Sequence, residues 1–157
     1  MPTLRHATVD DSGLIAKHRH LMFAANNVTT EECLREMDAA FEPWVREHLA
    51  DNTYVGLFLE EDRKVLAAAG IYFMEFPPGW MDTEPLRAYL LNFYTVPEAR
   101  GRGYAKQILE AAVAECRARG TRVITLHASR FGRPVYERFG FTPSTEMMLA
   151  PAALRPD

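Results

Sequence analysis

The sequence contains no apolar segment long enough to cross a membrane. None of its apolar runs approaches the ~20 residues that a membrane-spanning helix needs. The N-terminal segment MPTLRHATVDD also lacks the apolar core of a signal peptide. We therefore expect a cytoplasmic protein without a membrane partner.

Cysteine is scarce in this chain. Cys33 and Cys116 are its two cysteines, and each falls within a helical pattern. Disulfides belong to oxidising compartments and favour loop-rich scaffolds. We therefore expect two buried free thiols in a reducing compartment.

An excess of positive charge is also absent. Lys and Arg number 18 and Asp and Glu number 21, which gives a formal net charge of −3. A partner held by general attraction to a phosphate backbone is therefore disfavoured, and we expect no nucleic acid. Any anion-binding site must depend on a local group of residues.

Repeats, low-complexity segments and linkers are missing as well. The chain is 48% hydrophobic and 25% charged, which excludes a disordered or fibrous protein. Its 157 residues suit one globular domain, residues 1–157, with a packed core.

The N-terminal part of the sequence predicts a strand and then helices. Thr3 to Thr8 reads as a short strand, and residues 10–12 supply an N-cap and first-turn carboxylates for a helix. Thr30 can cap a second helix with an acidic first turn. Because proline is tolerated best at the start of a helix, Pro43 predicts a separate short helix over PWVREHLA.

The middle of the sequence predicts a hairpin and a further strand. Thr53 to Glu60 and Lys64 to Phe76 are rich in strand-forming residues, and the polar segment EDR joins them. The loop PPGWMDTEP follows. Arg87 to Val96 then predicts another strand.

The C-terminal part predicts a long helix, a strand, a short helix and a last strand. The long helix runs from about Gly103 to Arg119, and Arg122 to Ser129 has the continuous apolar character of a buried strand. The long helix carries a core-facing stripe of Ala105, Ile108, Leu109, Ala112, Val113 and Cys116. RPVYERF predicts the short helix, ended by Gly140, and the last strand runs through EMML.

The predicted order of elements is β-α-α-β-β-β-α-β-α-β. This mixture of strands and helices indicates an α/β fold. Its sheet is mixed, with helices on both faces.

The segment VPEARGRGYA places two glycines and two arginines at the start of the long helix. The first N–H groups of a helix lack partners and carry the positive end of its dipole. Gly101 and Gly103 let the backbone approach a bulky anion, and Arg100 and Arg102 add positive charge. A tight turn with solvated arginines would have the same composition. We favour a pyrophosphate at this helix N-terminus.

Two other phosphate-binding motifs do not fit this segment. A dinucleotide fingerprint needs a third glycine, which is missing here. A Walker A loop needs four residues between its glycines, followed by Gly-Lys-Ser/Thr.

The same residues carry a resemblance to a family. Arg100, Gly103 and the pair Tyr104-Ala105 fit the cofactor motif Gln/Arg-x-x-Gly-x-Gly/Ala. The chain thus resembles the GNAT superfamily of N-acetyltransferases. The resemblance covers the order of elements from about Thr3 to Leu149, and its strongest motifs lie between Leu91 and Phe141.

A second family pattern lies downstream, in ASRFGRPVYERFGF. The chain keeps the pattern at Tyr136, Glu137, Gly140 and Phe141. It departs from the pattern twice, with Ser129 where Asn is commonest and Val135 in place of Leu. A hydroxyl at position 129 would replace the usual amide hydrogen bond to the cofactor.

The resemblance implies acetyl-coenzyme A (acetyl-CoA) as cosubstrate, and we expect no metal. The pyrophosphate would lie on the N–H groups from Gly101 to Ala105. The pantetheine arm would enter a gap between splayed strands and bind the backbone of Phe93 and Thr95, where one N–H would polarise the thioester carbonyl. The expected cofactor-binding residues are Phe93, Tyr94, Thr95, Arg100, Gly101, Arg102, Gly103, Tyr104, Ala105 and Ser129.

The implied reaction is direct acetyl transfer to a primary amine of a small molecule or peptide. No covalent intermediate is needed, so neither cysteine has a nucleophilic role. Tyr136 lies where the family keeps a general acid for the departing thiolate. The alternative role of Tyr136 is packing beside Phe139 and Phe141.

The reaction also needs a base. An alkylamine with a pKa near ~10.4 is protonated at neutral pH and must lose a proton before it attacks. Glu75 and His127, each near the end of a predicted strand, are the candidates. A solvated Glu75, a hydrogen-bonded core His127, or a water chain to a remote carboxylate are the alternatives. Asn92 could orient the substrate but does not titrate.

The acceptor and the assembly are less constrained by the sequence. The segments NNVTTEECLREMDAAFE and PPGWMDTEP are acidic and would suit a cationic amine, although solvated carboxylates have the same pattern. The alternative function is a non-catalytic CoA-binding regulatory or interaction module, and a nucleotide-phosphate binder is a third possibility. A homodimer formed through FTPSTEMML is expected.

Overall fold

Five strands form one mixed sheet in the computed structural model, which describes residues 1–154. The strands are β1 (Thr3–His6), β2 (Tyr54–Glu61), β3 (Lys64–Glu75), β4 (Leu86–Thr95) and β5 (Ile124–Leu126). The helices are α1 (Ser12–Asn26), α2 (Glu31–Ala50), α3 (Tyr104–Ala118) and α4 (Arg133–Phe139). Short 3₁₀ turns cover residues 9–11, 97–99 and 152–154.

The strands lie in the order β1-β2-β3-β4-β5. The pairs from β1 to β4 are antiparallel, and β5 is parallel to β4. The parallel pair follows from the crossover through α3, which returns the chain to the starting end of β4. The predicted α/β class, with a mixed sheet between helices, is confirmed.

A two-residue turn joins β2 and β3. Asp62 and Arg63 have φ values of 50° and 63°, which is the left-handed region at both central positions. This geometry matches the twist of a tight hairpin. The predicted hairpin is confirmed, and its turn has this geometry without a glycine.

One face of the sheet packs against α3. The helix buries Ile108, Leu109, Ala112, Val113 and Cys116 against the sheet, with α4 beside it. The predicted stripe is confirmed except at Ala105, which is exposed.

The opposite face packs against α1 and α2. Ile15 of α1 and Phe41, Val45 and Leu49 of α2 are buried there with Tyr54 of β2. The predicted Thr30 cap is confirmed, because its Oγ1 accepts a hydrogen bond from the Cys33 N–H at 3.2 Å.

The predicted break at Pro43 is wrong. α2 runs without interruption from Glu31 to Ala50 and contains Pro43 on its exposed side. The buried stripe of Phe41, Val45 and Leu49 continues through the proline. Packing of this stripe outweighs the lost backbone hydrogen bond.

The predicted last strand is also wrong within the described residues. No strand follows α4 up to residue 154, and β5 is shorter than the predicted Arg122 to Ser129. Pro143 and Pro151 bracket the segment that contains EMML, and its Met147 and Leu149 side chains are exposed. With three half-buried residues, β5 offers this segment little to pair with.

Both cysteines are free thiols. Cys116 is buried as predicted, whereas Cys33 is exposed because the buried face of α2 begins one residue later, at Leu34. Among the described residues, no helix is long and apolar enough to span a membrane.

Candidate active site

β4 pairs with β5 only over its first half. Their register ends at Leu90 opposite Leu126, whereas β4 continues to Thr95. Residues 91–95 therefore pair with β3 on one side, and no described strand pairs with them on the other. An unpaired edge of this kind is a type of site that binds an extended ligand as an added strand.

A bulge in β4 lies where the two strands separate. Gly70 of β3 is opposite Leu91, and Ala68 is opposite Tyr94, so β4 has one residue more than β3 across this interval. The bulge is accommodated at Asn92, whose φ is 59°. Asparagine tolerates this left-handed conformation better than most residues.

The side chain of Asn92 is buried in a polar network on the α1/α2 face. Its Oδ1 accepts a hydrogen bond from Arg19 Nη1 at 2.8 Å, and its Nδ2 donates to the Tyr54 hydroxyl at 3.0 Å. Burial raises the pKa of Tyr54 to about 12, against the opposing effect of the Asn92 hydrogen bond. Gly70 leaves the space for this hydroxyl, since a Cβ there would lie 2.1 Å from it. The network fixes the bulge.

The loop before α3 contains two glycines in the left-handed region. Gly101 and Gly103 have φ values of 79° and 81°, and no atom outside the loop lies within 4 Å of a Cβ built on either. Their backbone conformation requires glycine, and the space beside them is open. The exposed Arg100 bonds to the Thr95 carbonyl through Nε at 3.1 Å, which connects the loop to the end of β4.

Four further predicted cofactor residues lie near this loop. Arg102 and Ala105 are exposed, and Tyr104 is half-buried at the start of α3. Tyr94 is half-buried on β4. The structure brings the predicted loop residues and the end of β4 together.

Tyr136 of α4 lies on the α3 side of the sheet. Its ring packs edge-on against Phe93, with the centroids 5.9 Å apart, and against Phe141 at 6.0 Å. Burial raises the pKa of Tyr136 to about 12, so its hydroxyl stays protonated at neutral pH. That hydroxyl forms no hydrogen bond within residues 1–154.

Ser129 lies beside Tyr136, across Gly132. The Ser129 Oγ accepts a hydrogen bond from the Gly132 N–H at 3.0 Å. A Cβ on Gly132 would lie 3.0 Å from that oxygen and 3.2 Å from the Tyr136 ring. Because the hydroxyl is an acceptor here, its own O–H remains to donate to a ligand.

His127 follows β5 on the opposite face. In the parallel register Tyr89 pairs with Thr125, so His127 projects on the same side as both. Its Nδ1 lies 2.6 Å from the Tyr89 hydroxyl, and the ring is exposed. Burial raises the pKa of Tyr89. The alternative of a core His127 is therefore wrong, because the ring is exposed and bonded to Tyr89.

Glu75 is not brought to this site. It pairs with Leu86 at the far end of the β3-β4 ladder, whereas the loop before α3 follows the end where Ala67 pairs with Thr95. Eight residues of strand separate the two ends, about 26 Å. Glu75 is exposed there.

Several carboxylates of the predicted acidic segments are used in ion pairs. His20 contacts Asp38 at 2.6 Å and Glu31 at 3.0 Å, and these contacts raise the pKa of His20, chiefly through the Asp38 hydrogen bond. Asp82 is bound by Arg122 at 2.9 Å. Intramolecular pairing thus explains part of the acidic pattern.

Trp80 is 93% exposed in its loop.

The sequence interpretation missed two groups at the bulge. Arg19 and the buried His18 both reach β4 from α1, where His18 stacks on Tyr94 at 4.9 Å. Burial lowers the pKa of His18 to about 4, so the ring is neutral at pH 7. The signal was present, since Arg19 lies four residues after Ile15 on an otherwise apolar helix face.

Metal-binding geometry is absent from residues 1–154. There, no group of three or more His, Cys, Asp or Glu side chains is placed to hold a metal ion.

Comparison with known sequences gives one family. The profile of the Acetyltransferase (GNAT) family matches residues 19–141. Over 76 residues, 44% of this chain, the sequence is 33% identical to the uncharacterized N-acetyltransferase YycN of Bacillus subtilis (strain 168). The match spans 49% of YycN, about half of its length.

Two solved structures are similar over nearly the whole chain. A GCN5-related N-acetyltransferase from Ralstonia eutropha JMP134 is 34% identical, with a TM-score of 0.92 over 97% of this chain and 99% of the other. A predicted acetyltransferase from Clostridium acetobutylicum, solved with acetyl-CoA, is 30% identical, with a TM-score of 0.88 over 96% of each chain.

Proposed function

Because this chain belongs to the GNAT acetyltransferase family, we propose that it transfers an acetyl group from acetyl-CoA directly to a primary amine of a small molecule or peptide. The observation that carries the proposal is the gap between β4 and β5, which extends along residues 91–95 toward the open glycine loop of α3. The family uses acetyl-CoA, and a structural relative was solved with it.

The cofactor would be held by backbone along most of its length. The pyrophosphate would bind the free N–H groups at the start of α3, where the helix dipole and Arg102 favour negative charge. The pantetheine arm would lie along residues 91–95, with the Ser129 hydroxyl as a further donor. One N–H of this edge would stabilise the oxyanion that forms during attack on the thioester.

In the chemical step, the amine nitrogen forms a bond to the acetyl carbon and the carbon–sulfur bond breaks. The sulfur leaves as a thiolate, and the nitrogen loses a proton to a base. We propose Tyr136 as the general acid that serves the sulfur. Because its pKa of about 12 exceeds the ~8.5 of a thiol, its main contribution is a hydrogen bond to the developing thiolate.

We propose His127 as the base, oriented by Tyr89. If Nδ1–H donates to the Tyr89 oxygen, Nε2 is left to accept the proton of the amine. The position of His127 supports this role, because it projects from the α1/α2 face where β4 and β5 separate. Glu75 is a weaker candidate for the base, because it lies at the far end of the sheet. We propose that Asn92 stabilises the bulge and does not contact the acceptor directly.

We also propose a cytoplasmic location and a homodimer. The location is supported by the two free cysteines, which persist in a reducing compartment. The dimer is supported by the open outer edge of β5 and by the exposed side chains of Met147, Met148 and Leu149 that follow it.

A thermal-shift panel and a thiol-release assay test the function. We expect acetyl-CoA and CoA to raise the unfolding temperature, and ATP and NAD to leave it unchanged. We expect free CoA to appear only when a suitable amine is present. Stabilisation by acetyl-CoA without turnover across a diverse amine library would favour the CoA-binding regulatory module.

The cofactor site itself is tested by Gly103→Val. A side chain at this left-handed position strains the loop and fills the space beside it, so the dissociation constant for acetyl-CoA should rise at least ~10-fold, about 1.4 kcal/mol. Gly120→Val is the matched control, because Gly120 has a φ of 78° and open space at the other end of α3. Calorimetry that gives both variants the same affinity would contradict the assigned site.

A further inference from the structure

Arg19 of α1 is a half-buried cation without a carboxylate partner. Its Nη1 donates to Asn92 Oδ1 at 2.8 Å, and its buried Nε has no hydrogen-bond partner among residues 1–154. No described Asp or Glu lies within ion-pair distance of it. Burial lowers the pKa of Arg19 from its usual value. A guanidinium stays protonated all the same, so a charge remains here.

Two other arginines of the described residues, by contrast, contact carboxylates. Arg5 contacts both Asp11 and Glu60, at 2.9 Å and 2.8 Å. Arg122 contacts Asp82. Arg19 instead lies over the rings of Phe23 and Phe41, at 5.0 Å and 4.7 Å from their centroids. Such contacts offset only part of the free energy that removing a charge from water costs.

The position of Arg19 connects this charge with the acceptor side of the site. Its hydrogen-bond partner, Asn92, is the bulge residue of β4, next to the point where β5 separates. Tyr54 and Tyr89 lie close enough to influence its pKa. Tyr89 also contacts His127. The guanidinium and the proposed base therefore lie on the same face of the sheet.

We propose that Arg19 binds a carboxylate of the acetyl acceptor, so that the substrates are amines that also carry a carboxylate, as amino acids do. The inference rests on the proposed acetyltransferase function and names its substrate class. The N–H groups of Nη1 and Nη2 that Asn92 does not use are two parallel donors that match the two oxygens of a carboxylate. Arg19 takes no part in the bond changes and selects the substrate that undergoes them.

The test uses matched sets of amines. Each set contains an ω-amino acid, its carboxamide and the n-alkylamine of the same chain length, and chain length is varied across sets. We expect the wild-type kcat/KM, measured by thiol release, to be about 10- to 100-fold higher for the acid than for the carboxamide. Arg19→Met should remove most of this ratio. Arg19→Lys keeps the charge without the two-donor geometry and should give an intermediate ratio.

Arg46→Met is the matched control, because Arg46 is exposed on α2 and outside the site. Its acid-to-carboxamide ratio should equal that of the wild type. If the wild type uses acid and carboxamide equally, or if Arg19→Met and Arg19→Lys keep the wild-type ratio, the carboxylate assignment is overturned while the acetyltransferase proposal stands.

A binding measurement separates the two proposals. Unreactive carboxylates that lack the amine are titrated by calorimetry into the wild type and Arg19→Lys, each saturated with CoA. Binding that weakens in Arg19→Lys supports the carboxylate subsite, whether or not any amine is acetylated. If no amine is acetylated, only the catalytic proposal is refuted. Equal affinity for both proteins, or none in the wild type, overturns the subsite.

Discussion

At the scale of single residues, the proposed chemistry depends on Tyr136 and its surroundings. Its hydroxyl is protonated at neutral pH, has no partner among the described residues, and lies beside the Ser129 hydroxyl across Gly132. In the proposed reaction, this free hydroxyl donates a hydrogen bond to the thiolate that forms as CoA leaves. Packing against Phe93 and Phe141 fixes the ring without using the oxygen.

Tyr136→Phe should lower kcat by about 10- to 100-fold and leave the acetyl-CoA affinity nearly unchanged. The substitution keeps the ring contacts and removes one donor. The loss is moderate because a thiolate is a good leaving group with a pKa near ~8.5. Steady-state kinetics with one responsive amine, together with calorimetry, checks the expectation.

The control for this prediction is Tyr72→Phe. Tyr72 of β3 packs against Trp44 and His48 on the other face of the sheet. Its substitution should leave kcat within about threefold. Should Tyr136→Phe behave like Tyr72→Phe under conditions where chemistry limits turnover, Tyr136 would be a packing residue.

At the scale of elements, α2 contains a residue that most helices exclude. Pro43 lies inside α2, where it removes the backbone N–H that would donate to Ala39. The helix persists because Phe41 and Val45, on either side of the proline, are buried against the sheet. Tertiary packing therefore decides the local conformation.

Pro43→Ala should raise the free energy of unfolding by about 1–2 kcal/mol. It restores a helix hydrogen bond at an exposed position, and part of the gain is offset because the unfolded chain becomes more flexible. Urea unfolding measures the change. Arg46→Ala, at an exposed position of the same helix, should change stability by less than about 0.5 kcal/mol. A Pro43→Ala variant no more stable than this control would mean that the proline fits α2 without cost.

Elements governed by local sequence were predictable, and those governed by distant contacts were not. The hairpin, the stripe of α3 and the left-handed glycines of its loop follow from residues close in the chain. The continuity of α2 depends on a buried face formed with other elements. The failure of the EMML segment to form a strand depends on how short β5 is.

The candidate site likewise contains residues that the sequence predicted and residues that it did not. The loop of α3 and Tyr136 lie within recognisable motifs, so sequence alone was sufficient to find them. Arg19 reaches Asn92 across 73 positions, and Tyr89 reaches His127 across 38. No spacing in the sequence encodes such contacts, because they exist only once the sheet has formed.

At the scale of the whole molecule, the sheet separates two kinds of group. Tyr136, Ser129 and α3 lie on one side, and Arg19, Tyr89 and His127 lie on the other. The gap between β4 and β5 connects the two sides. In the proposed reaction, cofactor and acceptor approach from opposite faces and meet within the sheet.

Sedimentation should detect a dimer that depends on the segment after α4. Met147 and Leu149 are 94% and 98% exposed in the segment after α4, and no described strand pairs with the outer edge of β5, which is an unfavourable arrangement for an isolated chain. We expect a dimer at about 50 μM, since interfaces of moderate size have dissociation constants at or below the micromolar range. The variant Met147→Glu with Leu149→Glu should be a monomer.

A substitution of an exposed apolar side chain by Glu elsewhere is the control. Met81, exposed in the loop before β4, can be changed to Glu in a separate variant, which should remain a dimer. A wild type that sediments as a monomer at several times this concentration would rule out the proposed association.

The bulge at Asn92 changes which face of the sheet each later residue of β4 occupies. Leu90 and Phe93 face α3, whereas Leu91, Asn92 and Tyr94 face α1 and α2, so two successive residues share a face. After the left-handed conformation at Asn92, the alternation of faces resumes, with Phe93 toward α3 and Tyr94 toward α1 and α2. A β4 shorter by this one residue would keep Phe93 and Tyr94 on their present faces in a regular strand. The local bend at the gap would then be lost. The bend of β4 beside the proposed cofactor gap thus depends on one residue in the length of the strand.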